Sequence, residues 1–277
     1  MEYKLYILYP IVGCHKFLER MCKLFGLTLG TIFLTTILYG QAVTKEEIVK
    51  FKIKSITTVD SNGKIKSIDF YNEHGDIVNV GDDDNGRTQT KKEFIYDNNK
   101  RLTEEKTFTS EGQVHHRDKY SYNSKDQPIK KESSDSDGSV DATWTFEYDE
   151  NGNKIKETQK SGTMGNSVTK FKYVNGQLSE TETSNDSIGK ENKVTYKYNE
   201  KGQVIEEKTK DYYSNTTITL TYTYNGTGKL TKLEEKSSNG VSSLTTYQYN
   251  DKGLLESDVW KSSLGKTAHR TTYKMAY

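Results

Sequence analysis

Cysteine is nearly missing from this 277-residue chain: there are two, Cys14 and Cys22, and both lie in the first forty residues. Beyond residue 42 the chain can therefore form no disulfide, thiolate metal site or cysteine nucleophile. Aliphatic bulk is scarce as well, and the mean hydropathy is −0.88. An excess of one charge is also absent. The 40 Lys and Arg and 39 Asp and Glu leave a net charge of +1 and are interleaved along the chain. A nucleic-acid partner needs a concentrated basic face, which this charge pattern excludes. Three motifs that announce catalysis are missing: His-Glu-x-x-His, a glycine-rich phosphate loop and a Gly-x-Ser-x-Gly elbow.

The longest apolar run, Leu24 to Leu38, is shorter than the roughly 20 residues of a spanning helix. It follows Lys23 and precedes the small-x-small triplet Gly40-Gln41-Ala42. Basic, apolar and small residues in that order make a secretory signal peptide. Residues 1–42 are therefore expected to be a leader cleaved near Gly40–Ala42, leaving a secreted, periplasmic or cell-surface protein. A start at Met21, an uncleaved leader anchored in the membrane, and lipid attachment at Cys14 in Ile11-Val12-Gly13-Cys14 stay open alternatives. Export without cysteines fits a bacterial envelope protein.

What the chain does have is tyrosine, 20 in all, of which sixteen follow residue 42. Disordered chains poor in aliphatics are usually poor in aromatics too, so this composition points to ordered β structure. The tyrosines recur at a fixed distance. Tyr71, Tyr96, Tyr122, Tyr148, Tyr173, Tyr198, Tyr224 and Tyr249 are spaced 25 or 26 residues apart, and Met275 falls 26 further on. Seven of the eight are followed directly by Asn or Asp, and Tyr173 by Val174-Asn175; then comes a glycine: Gly75, Gly152, Gly176, Gly202, Gly228 or Gly253. Lys100 and Asp126 stand in for glycine in two copies. Glycine adopts positive φ without steric cost, so each phrase is a tight hairpin turn. A second turn is due about 16 residues after the anchor, at Gly112, Gly138, Gly189, Gly240 and Gly265, with Ser214-Asn215 and Gly162 or Gly165 serving elsewhere.

Two turns per repeat mean two strands per repeat. The expected fold is all-β, a long antiparallel β-meander of about 16–18 strands built from 25-residue, two-strand repeats. Alternation places each anchor and the aromatic two residues before it on one face, as in Trp144, Phe146 and Tyr148, with Thr, Lys and Glu opposite. The partner strand adds one aliphatic, such as Leu102, Ile155, Leu178, Ile205, Leu230 or Leu255. A sheet this wide twists and curls, so a curled or spiralling sheet with the aromatic stripe inside is expected. Residues 43–71 read as a degenerate N-terminal hairpin and cap: a helical capping box at Thr44–Glu47, then a hairpin closed at Asn62-Gly63. Residues 72–277 form the repeat domain.

The phrases "FEYDENGNKI", "YKYNEKGQV" and "YTYNGTGKL" resemble the Tyr-Asp (YD) repeats of Rhs-type proteins. The resemblance covers roughly residues 64–277. It implies a wound β-sheet shell and a surface or secreted protein; some members enclose a C-terminal toxin. Asn153, Gln203, Lys229 and Leu254 stand where the family's arginine follows the turn glycine, and the sequence ends inside a repeat at Tyr277 without an Asp-Pro junction. A short bacterial form without a toxin domain is expected, with too few repeats for a large closed shell.

No residue announces catalysis, a cofactor or a resident metal. Adjacent residues of a strand face opposite ways, so His115 and His116 cannot grip one ion together. Gly81–Gly86 and Asp135, Asp137 and Asp141 around Gly138 read as plain turns before they read as calcium loops, because the first lacks the acidic residues at both ends of an EF-hand loop. The recurring acids Glu104-Glu105, Glu206-Glu207 and Glu234-Glu235 read as cross-strand charge pairs on a solvated face. Tyr212, Tyr213 and Trp260 interrupt the pattern and are the candidate ligand-contacting aromatics. The expected function is a non-catalytic exported binding or structural module with a protein or glycan partner. The alternative is a carbohydrate-binding or glycan-active protein using exposed aromatics and acids.

Overall fold

A computed structural model describes residues 43–81, 88–162, 165–265 and 267–277. The leader and most of the Gly81–Gly86 stretch lie outside the described residues. The chain starts with a short helix, α1 (Lys45–Phe51), for which Thr44 and Glu47 form the expected capping box. Eighteen strands follow in a single antiparallel sheet. They begin with β1 (Ser55–Val59), β2 (Ile65–Tyr71), β3 (Ile77–Gly81), β4 (Thr88–Tyr96), β5 (Leu102–Phe108) and β6 (Val114–Tyr122). Next come β7 (Pro128–Asp135), β8 (Val140–Tyr148), β9 (Lys154–Ser161), β10 (Ser167–Val174), β11 (Gln177–Asn185) and β12 (Gly189–Tyr198). The last six are β13 (Val204–Asp211), β14 (Thr217–Tyr224), β15 (Leu230–Ser237), β16 (Ser242–Tyr249), β17 (Leu255–Ser262) and β18 (His269–Ala276).

The sheet is not open. β1 pairs with β2 on one side and with β18 on the other, Thr57 lying opposite Lys274 and Thr58 opposite Tyr273. Every strand has two neighbours, so the meander is a closed barrel with no free edge. This corrects the curled or spiralling sheet expected from sequence. The hairpin of residues 55–71 supplies the strand that receives β18. Closure removes the two rows of unpaired backbone groups that an open sheet leaves exposed.

The hairpin turns follow the sequence signature closely. In the turn after Tyr198, Gly202 donates to the Asn199 carbonyl and Asn199 to the Gln203 carbonyl, while the Asn199 side chain accepts from Lys201 and Gln203 amides. Gly202 has φ +76°. Where glycine is missing, Lys100 and Asp126 are themselves forced to φ near +62° and +61°. At the opposite end Asn215 takes φ +53° and so fills the second-turn role expected of Ser214-Asn215.

A β-bulge accompanies every anchor. The ladder slips by one residue at Tyr71, Tyr96, Tyr122, Tyr148, Tyr173, Tyr198, Tyr224 and Tyr249. The slip decides which partner-strand residue faces inward. Tyr148 pairs with Lys154 and Glu147 with Lys156, leaving Ile155 as the extra residue and exposed. Likewise Tyr198 pairs with Val204, which is buried, and Ile205 is the extra residue. Ile155 and Ile205 were expected on the apolar face; the bulge turns that role over to their predecessors.

The bulge also provides an acceptor. The Tyr122 hydroxyl donates to the Leu102 carbonyl at 2.6 Å, and Leu102 is the residue paired with Tyr96 across the preceding bulge. The same bond recurs from Tyr148 to Pro128, Tyr173 to Lys154, Tyr198 to Leu178, Tyr224 to Val204 and Tyr249 to Leu230, at 2.7–3.1 Å. Each hairpin is thus fastened to its predecessor through a side chain. A parallel tie joins the turns, because Gln127 and Gln203 donate to the carbonyls of the next turn glycines, Gly152 and Gly228. Arg101 reaches Asp126 in the same way. Arg101 stands where the YD family places its arginine, behind Lys100 rather than behind a glycine, so a reading keyed on the glycines passes over it.

The apolar core is a lining and not a central mass. One cluster covers the arc from β10 to β15 with Phe171, Leu178, Val194, Tyr196, Val204, Leu220, Tyr222 and Leu230. A second is made by Val43, Ile48, Ile53 and Ile56 with Leu254, which is wholly buried. There α1 lies across the turn end of the barrel, held by Lys45 to Asp76 and by Glu47 to Lys229.

Two predictions follow from the turns and the ladder. Tyr198→Phe and Tyr224→Phe each leave a carbonyl without its donor and should cost about 1–3 kcal/mol in urea unfolding. Lys100→Gly relieves a left-handed non-glycine residue and should gain roughly 1 kcal/mol in the same measurement.

Candidate functional site

The inner face has an order that sequence alternation only half reveals. Two residues before seven of the eight anchors is an aromatic, with Asp69 in that place before Tyr71, and the bulge sets a mostly polar residue directly across from the ring. Phe94 faces Glu105, Tyr120 faces Lys131, Phe146 faces Glu157, and Phe171 faces Thr181. Tyr196 faces Glu207, Tyr222 faces Leu233, and Tyr247 faces Asp258. A belt of alternating rings and polar groups therefore runs along the wall. The acid pairs split accordingly: Glu104 and Glu206 point outward to Arg117 and Lys197 at 2.7 and 2.8 Å, while Glu105 and Glu207 point inward. The reading of both acids as a solvated face holds for only one of each pair, because neighbours on a strand alternate.

The belt has two electrostatic halves. From β4 to β9 its acids have lysine partners. Lys92 meets Glu105 at 2.7 Å, Lys131 meets Asp118 at 2.9 Å and Lys154 meets Glu157 at 2.7 Å. Lys131 lies 4.6 Å from the Trp144 ring centre and Lys154 4.4 Å from that of Phe171, so both ammonium groups also gain from ring faces. Burial alone would raise the Asp118 carboxyl, but the hydrogen bond from His116 and the charge of Lys131 hold it at about 2.

On the other half the acids keep high proton affinity. Burial pushes Glu207 up to about 7 and Asp69 up to about 6. Burial also raises Glu235 and Asp258, against hydrogen bonds from Ser243 and from Tyr273, the latter at 2.6 Å. One carboxylate oxygen of Glu207 is buried without a hydrogen-bond partner. Glu207 and Glu235 are both in register with Leu220, two strands apart, or about 10 Å between backbones. The acidic arc is the inner face's most distinctive chemistry, with burial raising the proton affinity of each of these carboxyls above its ordinary value.

Of the aromatics singled out by sequence, Tyr212 and Tyr213 sit in the loop from β13 to β14, outside any strand. Tyr213 is 89% exposed, and Tyr212 lies under the Lys190 ammonium at 5.8 Å. Trp260 is half-buried on the inner side of β17, opposite Thr245, with its ring 5.6 Å from that of His269. The three do not form one site. A cleft of about 330 Å³ opens instead beside α1, lined by Lys45, Val49, His74, Tyr96, Asp97 and Lys100. His74 packs its ring 5.3 Å from that of Tyr96, whose hydroxyl donates to Asp76. Sequence reading missed Glu207 and Asp258 because their inward placement depends on bulges, whereas Asp118 follows from plain alternation with Tyr120.

A tyrosine, then Asn or Asp, then a left-handed residue recurs around the closed β wall. Over residues 41–168 the repeats are those of the YD-shell family. The family model described as Teneurin YD-shell matches residues 41–168. Among curated proteins no relative matches. The crystal structure of TcdB2-TccC3-TEV aligns with a TM-score of 0.37 and 10% identity, over 78% of this chain and 15% of that one. The chain therefore spans well under two thirds of that molecule. A porin-like protein from Bacteroides uniformis aligns with a TM-score of 0.41 and 11% identity, over 81% of this chain and 96% of that one. A porin-like protein from Bacteroides vulgatus gives 0.33 and 9%, over 81% and 98%. This YD-repeat chain is a β-repeat wall, with its rings and paired charges turned inward.

Glu207 makes the wall's stability depend on pH. Its folded-state affinity for a proton exceeds that of the unfolded chain, so the folded state binds more protons between about pH 4.5 and 7. Stability from this group is complete below that window and is lost as pH rises through it. Glu207→Gln should abolish this slope and be more stable than the parent at pH 8 by roughly 1–3 kcal/mol, read as a shift of the urea midpoint across a pH series.

Proposed function

We propose that this YD-repeat protein is an exported, non-catalytic module that binds or braces other components at the bacterial cell envelope. The observation that carries the reading is the division of labour between its faces. Rings, bulges and buried charges are consumed in holding the wall together, while the outer face is a lattice of ion pairs such as Lys156–Glu147, Lys172–Glu180 and Lys190–Glu182, at 2.7–3.0 Å. Such a surface is rigid, polar and repetitive, which suits adhesion by shape and resists aggregation. Export is supported by the basic, apolar and small-residue order of residues 23–42. The absence of any cysteine beyond residue 22 leaves the fold indifferent to the redox state of its compartment.

A second reading rests on Tyr213. An almost fully exposed tyrosine beside Tyr212 and Lys190 offers a small stacking platform for a sugar ring. It is a single rim contact, with Trp260 turned to the inner side, and so ranks below the structural reading.

Fractionation of cells expressing the full chain tests the first reading. The protein is expected outside the cytoplasm, and its N-terminal sequence should begin near Gln41 to Val43. A cytoplasmic protein retaining residues 1–42 would contradict export. A glycan array on the same material separates the two readings: no binding fits the structural module, whereas binding lost in Tyr213→Ala would establish the glycan reading in its place.

A further inference from the structure

Three ligating side chains converge where the inner face meets the end of β6, β7 and β8. His116 is paired with Asp135 across β6 and β7. Asp141 comes from β8, where Ser133 pairs with Ala142 and Ser134 with Val140, so that Asp141 is the extra residue of a bulge. A bulge re-aims its side chain, and here it brings a second carboxylate toward the imidazole. One ligand atom from each of His116, Asp135 and Asp141 lies within 4.8 Å of the other two.

The environment of His116 adds an independent argument. Its Nε2 is 3.2 Å from an Asp118 carboxylate oxygen. Asp118 is buried and fixed in turn by the Lys131 ammonium at 2.9 Å and by the Ser133 hydroxyl. With the Nε2 proton given to Asp118, the lone pair belongs to Nδ1, which faces Asp135 at 4.0 Å. Metal-binding histidines are oriented in this manner by a carboxylate on the far ring nitrogen. The groups facing His116 are Asp118 on its own strand, Lys131 and Asp135 on β7, and Asp141 on β8.

We propose that His116 Nδ1 with the carboxylates of Asp135 and Asp141 forms a binding site for a first-row divalent transition ion, with zinc(II) preferred, and that Asp118 is its positioning residue. One imidazole and two carboxylates suit such an ion better than calcium or magnesium, which take oxygen ligands alone. Three protein ligands leave coordination positions open to water. The adjacent His115 contributes nothing, because it points to the outer face. The acids around Gly138, read from sequence as a plain turn, become ligands only through the bulge at Asp141 and the pairing of β6 with β7.

Isothermal titration of the full chain with zinc chloride tests the site. Saturable binding at one equivalent is expected, weakened roughly tenfold or more in His116→Asn and in Asp141→Asn. Asp118→Asn keeps all three ligands and should still weaken binding about 10–100-fold. Calcium chloride should bind more weakly than zinc. Manganese added to the isotope-labelled parent should broaden amide signals around residues 116, 135 and 141 first, a readout independent of any variant's folding. No zinc binding, equal binding in the His116 and Asp141 variants, calcium binding as tight as zinc, or broadening centred elsewhere would each overturn the proposal.

Discussion

One hydrogen bond organises the molecule: the anchor tyrosine hydroxyl on the backbone carbonyl at the previous repeat's bulge. Six copies at 2.6–3.1 Å run from Tyr122 to Tyr249. The bulge frees a carbonyl from the ladder, and the tyrosine of the next hairpin satisfies it. The two features need one another, since a buried carbonyl without a donor is costly and a buried hydroxyl without an acceptor equally so. Because all eight anchor bulges lie at the same end of their hairpins, their local increase in twist adds in one sense around the sheet. Summed over the meander, that curvature brings β18 to β1.

The barrel's inner face then obeys constraints that a small core does not. Wide barrels are not filled by the side chains of their walls. Each ring on the belt is covered by its strand neighbours, which explains why polar groups alternate with aromatics there. Lysines answer the acids between β4 and β9, while burial without a lysine partner raises the proton affinity of Glu207, Glu235 and Asp258. Helix α1 closes over the turn end by the same economy, using Glu47 both as capping residue and as partner of Lys229.

Much of this was legible in the sequence. The 25- or 26-residue spacing locates the repeat hairpins, an Asn or Asp within two residues of each anchor tyrosine marks the turn, and Thr44–Glu47 marks the helix. What stayed hidden has one physical origin. A bulge shifts side-chain parity by one residue without changing the tyrosine spacing, so Lys154 and Val204 replace Ile155 and Ile205 on the inner face. The anchor slip turns Glu207 inward, and a separate bulge at Asp141 brings that residue beside the His116–Asp135 pair, residues that read as a solvated strand and a plain turn. Closure was hidden too, because the pairing of β1 with β18 joins segments more than two hundred residues apart and has no local signature. Tyr212 and Tyr213, which interrupt the repeat pattern, lie in a loop where strand alternation has no meaning.

The account turns on curvature carried far enough for the last strand to meet the first. Cysteines at positions 57 and 274 test it directly, as Thr57→Cys with Lys274→Cys on a chain whose Cys14 and Cys22 are replaced by serine. Thr57 and Lys274 are directly opposed across β1 and β18, so mild oxidation should give a quantitative intramolecular disulfide in the monomer. A chain that stays reduced, or that cross-links only between molecules, would mean that the ends stand apart and that the repeats form an open sheet.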